Sequence, residues 1–374
     1  MSGIYLHIPF CRKACTYCDF HFSTSTGTLP RVLEAMHREL ELRATERAAD
    51  PIRTIYFGGG TPSLLDSVRI EELLHRMRSL FTVDPEAEIT LEANPDDVTP
   101  GRLEAWRAMG INRLSLGTQS FRDDRLAFMG RAHNAAEARR SIDRIAKAGF
   151  ASWTIDLIYG LPDMDLAEWN EQLTIALDHG MPHLSAYCLT VEPRTALAHQ
   201  VNTGQVQVPE DAATSAQFDR LMDRMEQAGL DHYEISNFGR PGHYSRHNIS
   251  YWQGQAYLGI GPSAHSFLGR ERRWNVANNM RYAHGVESGS TWWEGEVLSP
   301  RQRANEMLMT GLRTQWGVTI SELPVEMNKS QGDAIRRYVE KGQLLLRDGR
   351  LVLTRAGRHF ADGIASDLFI TDDR

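Results

Sequence analysis

The sequence predicts an α/β fold of about six βα units in series, followed by an α+β region that ends in a winged-helix-like module. Three observations carry this. Short apolar runs alternate with longer stretches of helical period as far as Cys188, the pattern of a parallel sheet with crossover helices. That alternation stops after Thr190. Near the C-terminus, two short apolar runs flank Gly349 and read as a hairpin after helical stretches.

Taken in order, residues 4–8 are a strand. Residues 30–48 are a helix with Val32, Leu33, Met36 and Leu40 on one face. A strand at 54–57 runs into Gly58-Gly59-Gly60, and Asp66 N-caps a helix that continues to Leu80. Residues 88–92 are a strand and 100–109 a helix. Residues 113–116 are a strand, with helical stretches up to Ala148. The fifth strand is 153–158, the next helix 166–178 and the sixth strand 183–188. Crossovers between such strands are right-handed. Periodicity by itself does not separate a partly closed barrel from an open doubly wound sheet.

Beyond Thr190 lie a loop at 204–209, a helix at 211–228 and a short strand at 232–235. Residues 238–250, rich in Gly, His, Arg and Asn, read as an ordered functional loop. A helix at 300–315 precedes two helical stretches, the hairpin at 344–347 and 351–353, and a closing helix at 354–365. The expected organisation is a core over 1–200, an accessory region over 201–299 and the small module over 300–374.

Composition narrows the function classes. Apolar residues make up 41% and charged residues 24% of the 374, the balance of a globular protein. No run of eighteen apolar residues predicts a membrane span. Residues 1–10 have no basic segment and no small-residue cleavage site, so no signal peptide is expected and the cytoplasm is the expected compartment. A net charge of −7 argues against a dedicated nucleic-acid binder.

Three of the four cysteines, Cys11, Cys15 and Cys18, are spaced C-x3-C-x2-C directly after the first strand. A disulfide framework would spread and pair them, whereas crowded thiols read as metal ligands. Thiolates hold iron–sulfur clusters, and three of them leave the fourth iron of a cubane open to an outside ligand. Zinc, with His7 or His21 as the fourth donor, is the alternative that spacing leaves standing. Gly58–Gly60 lets backbone approach a ligand closely, and the Lys-Ser/Thr of a phosphate loop is absent. Glu92, Gln119, Arg131 and Asp156 fall at or near strand ends. A polar group among apolar strands requires a partner, and four at successive ends suggest one shared site.

With Tyr17 before its last cysteine, the triplet resembles the radical-SAM superfamily motif. Tyr5-Leu-His-Ile-Pro-Phe-Cys11, Gly58-Gly-Gly-Thr-Pro62, Gln119-Ser-Phe and Asp156-Leu-Ile-Tyr-Gly-Leu-Pro together resemble the oxygen-independent coproporphyrinogen III oxidase group, over nearly the whole chain. The resemblance implies a partial (βα)6 barrel and a [4Fe–4S] cluster on Cys11, Cys15 and Cys18. It also implies S-adenosylmethionine (SAM) held by Tyr5, Tyr17, Gly59, Gly60, Thr61, Glu92, Gln119, Arg131 and Asp156. Reductive SAM cleavage would be the chemistry. Two branches are told apart first by one position: the oxidase has a fourth cysteine two residues after the third, where this chain has Phe20. Phe20 and His247-Asn248-Ile249-Ser250-Tyr251-Trp252 instead resemble the HemW heme chaperone family, with its H-N-x-x-Y-W mark. That implies heme as a further ligand, His247 as its axial donor and an acceptor hemoprotein as partner. His243, His232 and His265 are rival donors, and Arg240 and Arg246 suit propionates. Core packing is the competing reading of Tyr251 and Trp252. No catalytic residue is assigned, and whether SAM is cleaved stays open. So do a membrane-associated acceptor and a homodimer.

Overall fold

The computed structural model describes residues 2–47 and 51–371. Its first half is β1 (Ser2–Ile8), α1 (Leu29–Leu42), β2 (Ile52–Gly59), α2 (Ser67–Leu80), β3 (Val83–Ala93), α3 (Pro100–Ala108), β4 (Arg113–Gln119), α4 (Asp123–Phe128), α5 (Ala135–Ala148), β5 (Ser152–Tyr159), α6 (Leu166–Asp178) and β6 (His183–Cys188). Strands β1 to β6 pair as parallel neighbours in chain order, which makes the partial (βα)6 barrel.

The helices start where their sequences supply caps. The Asp66 carboxylate accepts from Arg69 N–H at 2.9 Å to open α2. Asn134 and Glu137 form a reciprocal capping box on α5, which Gly149 ends in the left-handed region at φ 74°. The expected helix at 30–48 is shorter, because α1 ends at Leu42 and a 3₁₀ turn covers Ala44–Arg47; Ala48 lies outside the described residues.

The middle of the chain extends this sheet at both sides. It comprises α7 (Ala196–Asn202), α8 (Asp211–Gln227), β7 (Asp231–Glu234), β8 (Asn237–Gly239), α9 (Arg246–Trp252), β9 (Tyr257–Ile260), β10 (His265–Leu268), β11 (Glu271–Asn275), α10 (Asn279–Ser288) and β12 (Trp293–Val297). The twelve strands run β12-β11-β10-β9-β1-β2-β3-β4-β5-β6-β8-β7, with β9 parallel to β1 and β8 antiparallel to β6. The stretch 238–250, expected as one loop, contains the end of β8 and the start of α9.

The C-terminal region is α+β: α11 (Pro300–Leu312), β13 (Val318–Thr319), α12 (Lys329–Glu340), β14 (Leu344–Arg347), β15 (Arg350–Leu353), α13 (Arg355–Arg358) and α14 (Ala361–Asp367). The hairpin sits where the sequence predicts it, and the closing helix is two short pieces. Leu308, Leu312, Leu344, Leu351, Ile364 and Leu368 form its core, apart from the barrel core. The two meet at Ile235, which packs against both. There Ile235 N–H donates to Arg313 O at 3.0 Å, and Gln315 N–H to Tyr233 O at 3.0 Å.

Glu39, on the inner face of α1, is fully buried and binds the sheet extension to the barrel. Its carboxylate accepts from Gly261 N–H at 2.8 Å, Asn275 Nδ2 at 2.9 Å, Tyr282 OH at 2.7 Å and Trp292 Nε1 at 3.3 Å, with Arg43 at 3.5 Å. A buried charge survives only with such satisfaction. Glu39→Ala leaves these donors and the Arg43 charge without their acceptor, so it should lower unfolding stability by about 3–5 kcal/mol. Arg31→Ala, which breaks an exposed pair with Glu287 between the same two helices, should change it by less than about 1 kcal/mol. Urea denaturation of both variants checks the contrast.

Candidate functional site

The C-terminal ends of β1–β6 share one rim, and the loops beyond them enclose a cavity of about 490 Å³. Cys11, Cys15 and Cys18 all line it. Protein contacts from several elements shape their loop. Cys11 N–H donates to Ser23 O at 3.0 Å, Thr16 N–H to Met129 O at 3.1 Å, and Leu197 N–H to Thr16 O at 2.8 Å. Arg12 pairs with Asp96 at 2.7 Å and also with buried Asp97. Lys13 Nζ reaches Arg131 O at 3.3 Å.

The second wall comes from the end of β2. Gly60 N–H donates to Ile8 O at 2.9 Å and Thr61 N–H to Phe10 O at 2.8 Å, which brings the glycines against the cysteine loop. A Cβ on Gly60 would lie 2.7 Å from Phe10 O and 3.0 Å from Cys11 Sγ, and Gly59 has φ 109°. Neither position tolerates a side chain. Thr61 Oγ1 donates to Cys11 Sγ at 3.5 Å.

Arg131 joins the remaining strand ends. Its Nη1 donates to Cys15 Sγ at 3.4 Å, and its Nη2 to Asn94 Oδ1 at 2.6 Å and Gly117 O at 2.8 Å. Its buried Nε has no protein partner among the described residues, a donor left for a ligand. Gln119 reaches the cavity with φ 64°, where a non-glycine residue is strained.

Glu92 and Asp156 form the floor. Tyr56 OH donates to Glu92 Oε1 at 2.8 Å and Ser115 Oγ to Asp156 Oδ2 at 3.1 Å. Burial, and for Glu92 the nearby Asp156, pushes Glu92 up to about 7 and Asp156 to about 6. Beneath them lies a polar chamber of about 40 Å³, lined by both carboxyls, Arg113, His183 and Asn248.

Most of the expected site converges here: Tyr17, Gly59, Gly60, Thr61, Glu92, Gln119, Arg131 and Asp156 line the cavity with the cysteines. Two residues stand elsewhere. Tyr5 is one layer behind the wall, with its OH 3.2 Å from His7 Nδ1 and its ring stacked on Tyr56. His247 is fully buried, Nδ1 2.8 Å from Thr54 Oγ1 and Nε2 2.7 Å from Tyr251 OH. Asn94, Ser115 and Tyr187 line the cavity without having been singled out in the sequence. Asn94 and Tyr187 lie at strand ends, the signal that marked Glu92.

The donor set fits a cubane. The zinc alternative needs His7 or His21 as a fourth donor, and both rings are engaged: His7 Nε2 lies 2.9 Å from His21 O and Nδ1 3.2 Å from Tyr5 OH, and His21 Nε2 lies 2.8 Å from Asn279 Oδ1. The thiols instead border a cavity with room for a cluster and an organic ligand.

Residues 5–173 match the radical SAM superfamily and residues 298–360 the HemN C-terminal domain. Proteins named heme chaperone HemW from Mycobacterium tuberculosis and Bacillus subtilis are similar over 98% and 96% of this chain, at 36% and 30% identity, covering 94% and 96% of their own lengths. The chain belongs to the HemW family. A Synechocystis relative of the same name is 37% identical over 86% of this chain and 80% of its own. Membership implies a [4Fe–4S] cluster and SAM. In fold, the chain is similar to the coproporphyrinogen III oxidase HemN of Escherichia coli, with a TM-score of 0.85 at 22% identity, over 98% of this chain and 90% of that one.

The floor carboxyls make stability depend on pH. Between its ordinary 4.5 and about 7, folded Glu92 keeps a proton that the unfolded chain releases, so stability contributed by this group falls as pH rises through that window. Glu92→Gln should remove that share of the decline and raise the stability of the ligand-free protein at pH 8, by at most about 3 kcal/mol. Thermal unfolding of both proteins from pH 5 to 8 measures it.

Proposed function

We propose that this chain is a heme chaperone, which binds heme and passes it to an acceptor hemoprotein while holding a [4Fe–4S] cluster and SAM in the barrel cavity. The observation that carries the reading is Phe20. It stands where the resemblance puts an extra cysteine in the oxidase, and it is 67% exposed while lining the cavity. With Phe22 and Tyr187 it offers aromatic surface to a flat macrocycle. The full-length likeness to proteins named heme chaperones supports it.

In this reading Cys11, Cys15 and Cys18 hold the cluster. Gly59 and Gly60 bring backbone against SAM, and Thr61 and Arg131 fix the sulfurs of Cys11 and Cys15. Glu92 and Asp156, ionised, complement a cationic ligand, and Tyr17, Gln119 and the free Arg131 Nε supply polar contacts. When bound, the cluster and SAM together would supply one-electron chemistry. Tyr5 supports Tyr56 from behind rather than touching the ligand. The cytoplasm is the compartment we propose for the transfer. No helix of the described residues is long and apolar enough to cross a membrane.

Titrating the cluster-loaded protein with heme should give a saturable absorbance change, and the loaded protein should donate heme to an apo-hemoprotein. With SAM and a reductant, coproporphyrinogen III should stay unchanged. Its conversion to protoporphyrinogen IX would replace the chaperone reading with a dehydrogenase.

A further inference from the structure

We infer that α9, which carries the H-N-x-x-Y-W segment, is a positioning element of the SAM cavity, with His247 bracing Tyr56 against Glu92. This rests on the reading of that cavity as the SAM site.

The His247 ring is wedged against the face of β1 and β2 that carries Gly3, Tyr5, Thr54 and Tyr56. Room for it exists because residue 3 is glycine: a Cβ there would lie 2.6 Å from Thr54 Oγ1 and 3.3 Å from His247 Cε1. The ring stacks on Tyr56 with centroids 5.0 Å apart and planes 26° from parallel, and on Tyr5 at 6.3 Å. Tyr56 in turn donates to Glu92, a floor residue of the cavity. Gly58 keeps this row closed, since a Cβ there would come 2.9 Å from both tyrosine rings and 3.2 Å from Glu92. The side chains thus form a continuous line from α9 to the cavity. Burial pushes the imidazole down to about 3, so it remains neutral, and Nδ1 and Nε2 are both engaged.

A second connection runs through β3. Glu88 and Glu92 lie four residues apart on this strand, so they share a face. Glu88 accepts from Arg246 N–H at 3.1 Å and His247 N–H at 3.0 Å. The start of α9 is therefore anchored to the same strand that carries Glu92. Asn248, next in the motif, lines the polar chamber beneath Glu92 and Asp156.

The far end of the motif leaves the barrel. Arg313, at the end of α11, lies over the Trp252 ring at 5.3 Å and reaches Glu234 and Asp362. Four positions of the motif thus have separate duties: His247 and Asn248 face the barrel interior, Tyr251 holds His247, and Trp252 meets the C-terminal module.

The test uses cluster-loaded, full-length protein. SAM affinity is measured by equilibrium dialysis, the reduced cluster's paramagnetic resonance spectrum with and without SAM, and heme binding by absorbance. Loss of a buried hydrogen bond or ring contact predicts about tenfold weaker SAM binding in His247→Ala, with a diminished spectral response, unchanged iron content and heme affinity like wild type. His247→Asn, still able to reach Thr54, should recover part of it. Tyr56→Phe removes only the hydroxyl to Glu92 and should weaken SAM binding similarly, which covers the case where His247→Ala does not fold. The losses should combine sub-additively in the double variant. Wild-type SAM affinity in both single variants overturns the brace. Loss of heme binding in His247→Ala with SAM binding intact returns His247 to the role of heme ligand. A wild-type protein that binds no SAM overturns the reading of the cavity itself.

Discussion

The pairing of β1 with β2 sets the geometry on which the site depends. Leu6 lies opposite Phe57, His7 opposite Gly58 and Ile8 opposite Gly59. In that register the chain leaving β1 toward Cys11 and the chain leaving β2 toward Thr61 are in hydrogen-bond contact as soon as they pass the rim. A slip by one residue would exchange the two faces of the strand. In the direction that puts Thr61 in the place of Gly60, it would also bring a side chain against Cys11 Sγ. Thus the cysteine loop and the glycines are brought together by backbone pairing, and Arg131 adds the later strands by bridging Cys15, Asn94 and Gly117.

The floor works against stability. Two carboxyls share one buried pocket, a hydroxyl group bonds each, and burial, with the nearby Asp156 charge for Glu92, resists their ionisation. Gln119 holds strained backbone nearby. Departures of this kind from good local chemistry mark functional sites, and the surrounding apolar barrel tolerates them. Leu6, Phe57, Leu91, Leu116, Leu157 and Leu184, one from each barrel strand, are all fully buried.

Legibility followed the strength of the local signal. Helix α6 and strand β6 have the bounds that periodicity and length predict, and Asp66 caps α2 as its position suggests. The cysteines and glycines were legible because their spacing is tied to chemistry. Strands β9–β12 were not. They have four or five residues each, and β12 exposes Glu294, Gly295, Glu296 and Val297, which leaves no apolar alternation to detect. Tyr5 and His247 show another limit. Motif spacing marks both, but only pairing and packing decide which layer a ring enters. His247 packs beside Tyr56 because Gly3 leaves space there, a fact of three-dimensional neighbours rather than of sequence distance.

The contact between β7 and the turn after α11 has a further consequence. Strand β7 terminates the twelve-stranded sheet, and such a boundary exposes unpaired amides and carbonyls that can recruit another chain. Here Tyr233, Glu234 and Ile235 meet Arg313, Thr314 and Gln315 across a short antiparallel bridge. The C-terminal module therefore covers part of the open side of β7 with backbone partners, and cutting the chain before Pro300 would expose those amides and carbonyls to water or to another strand.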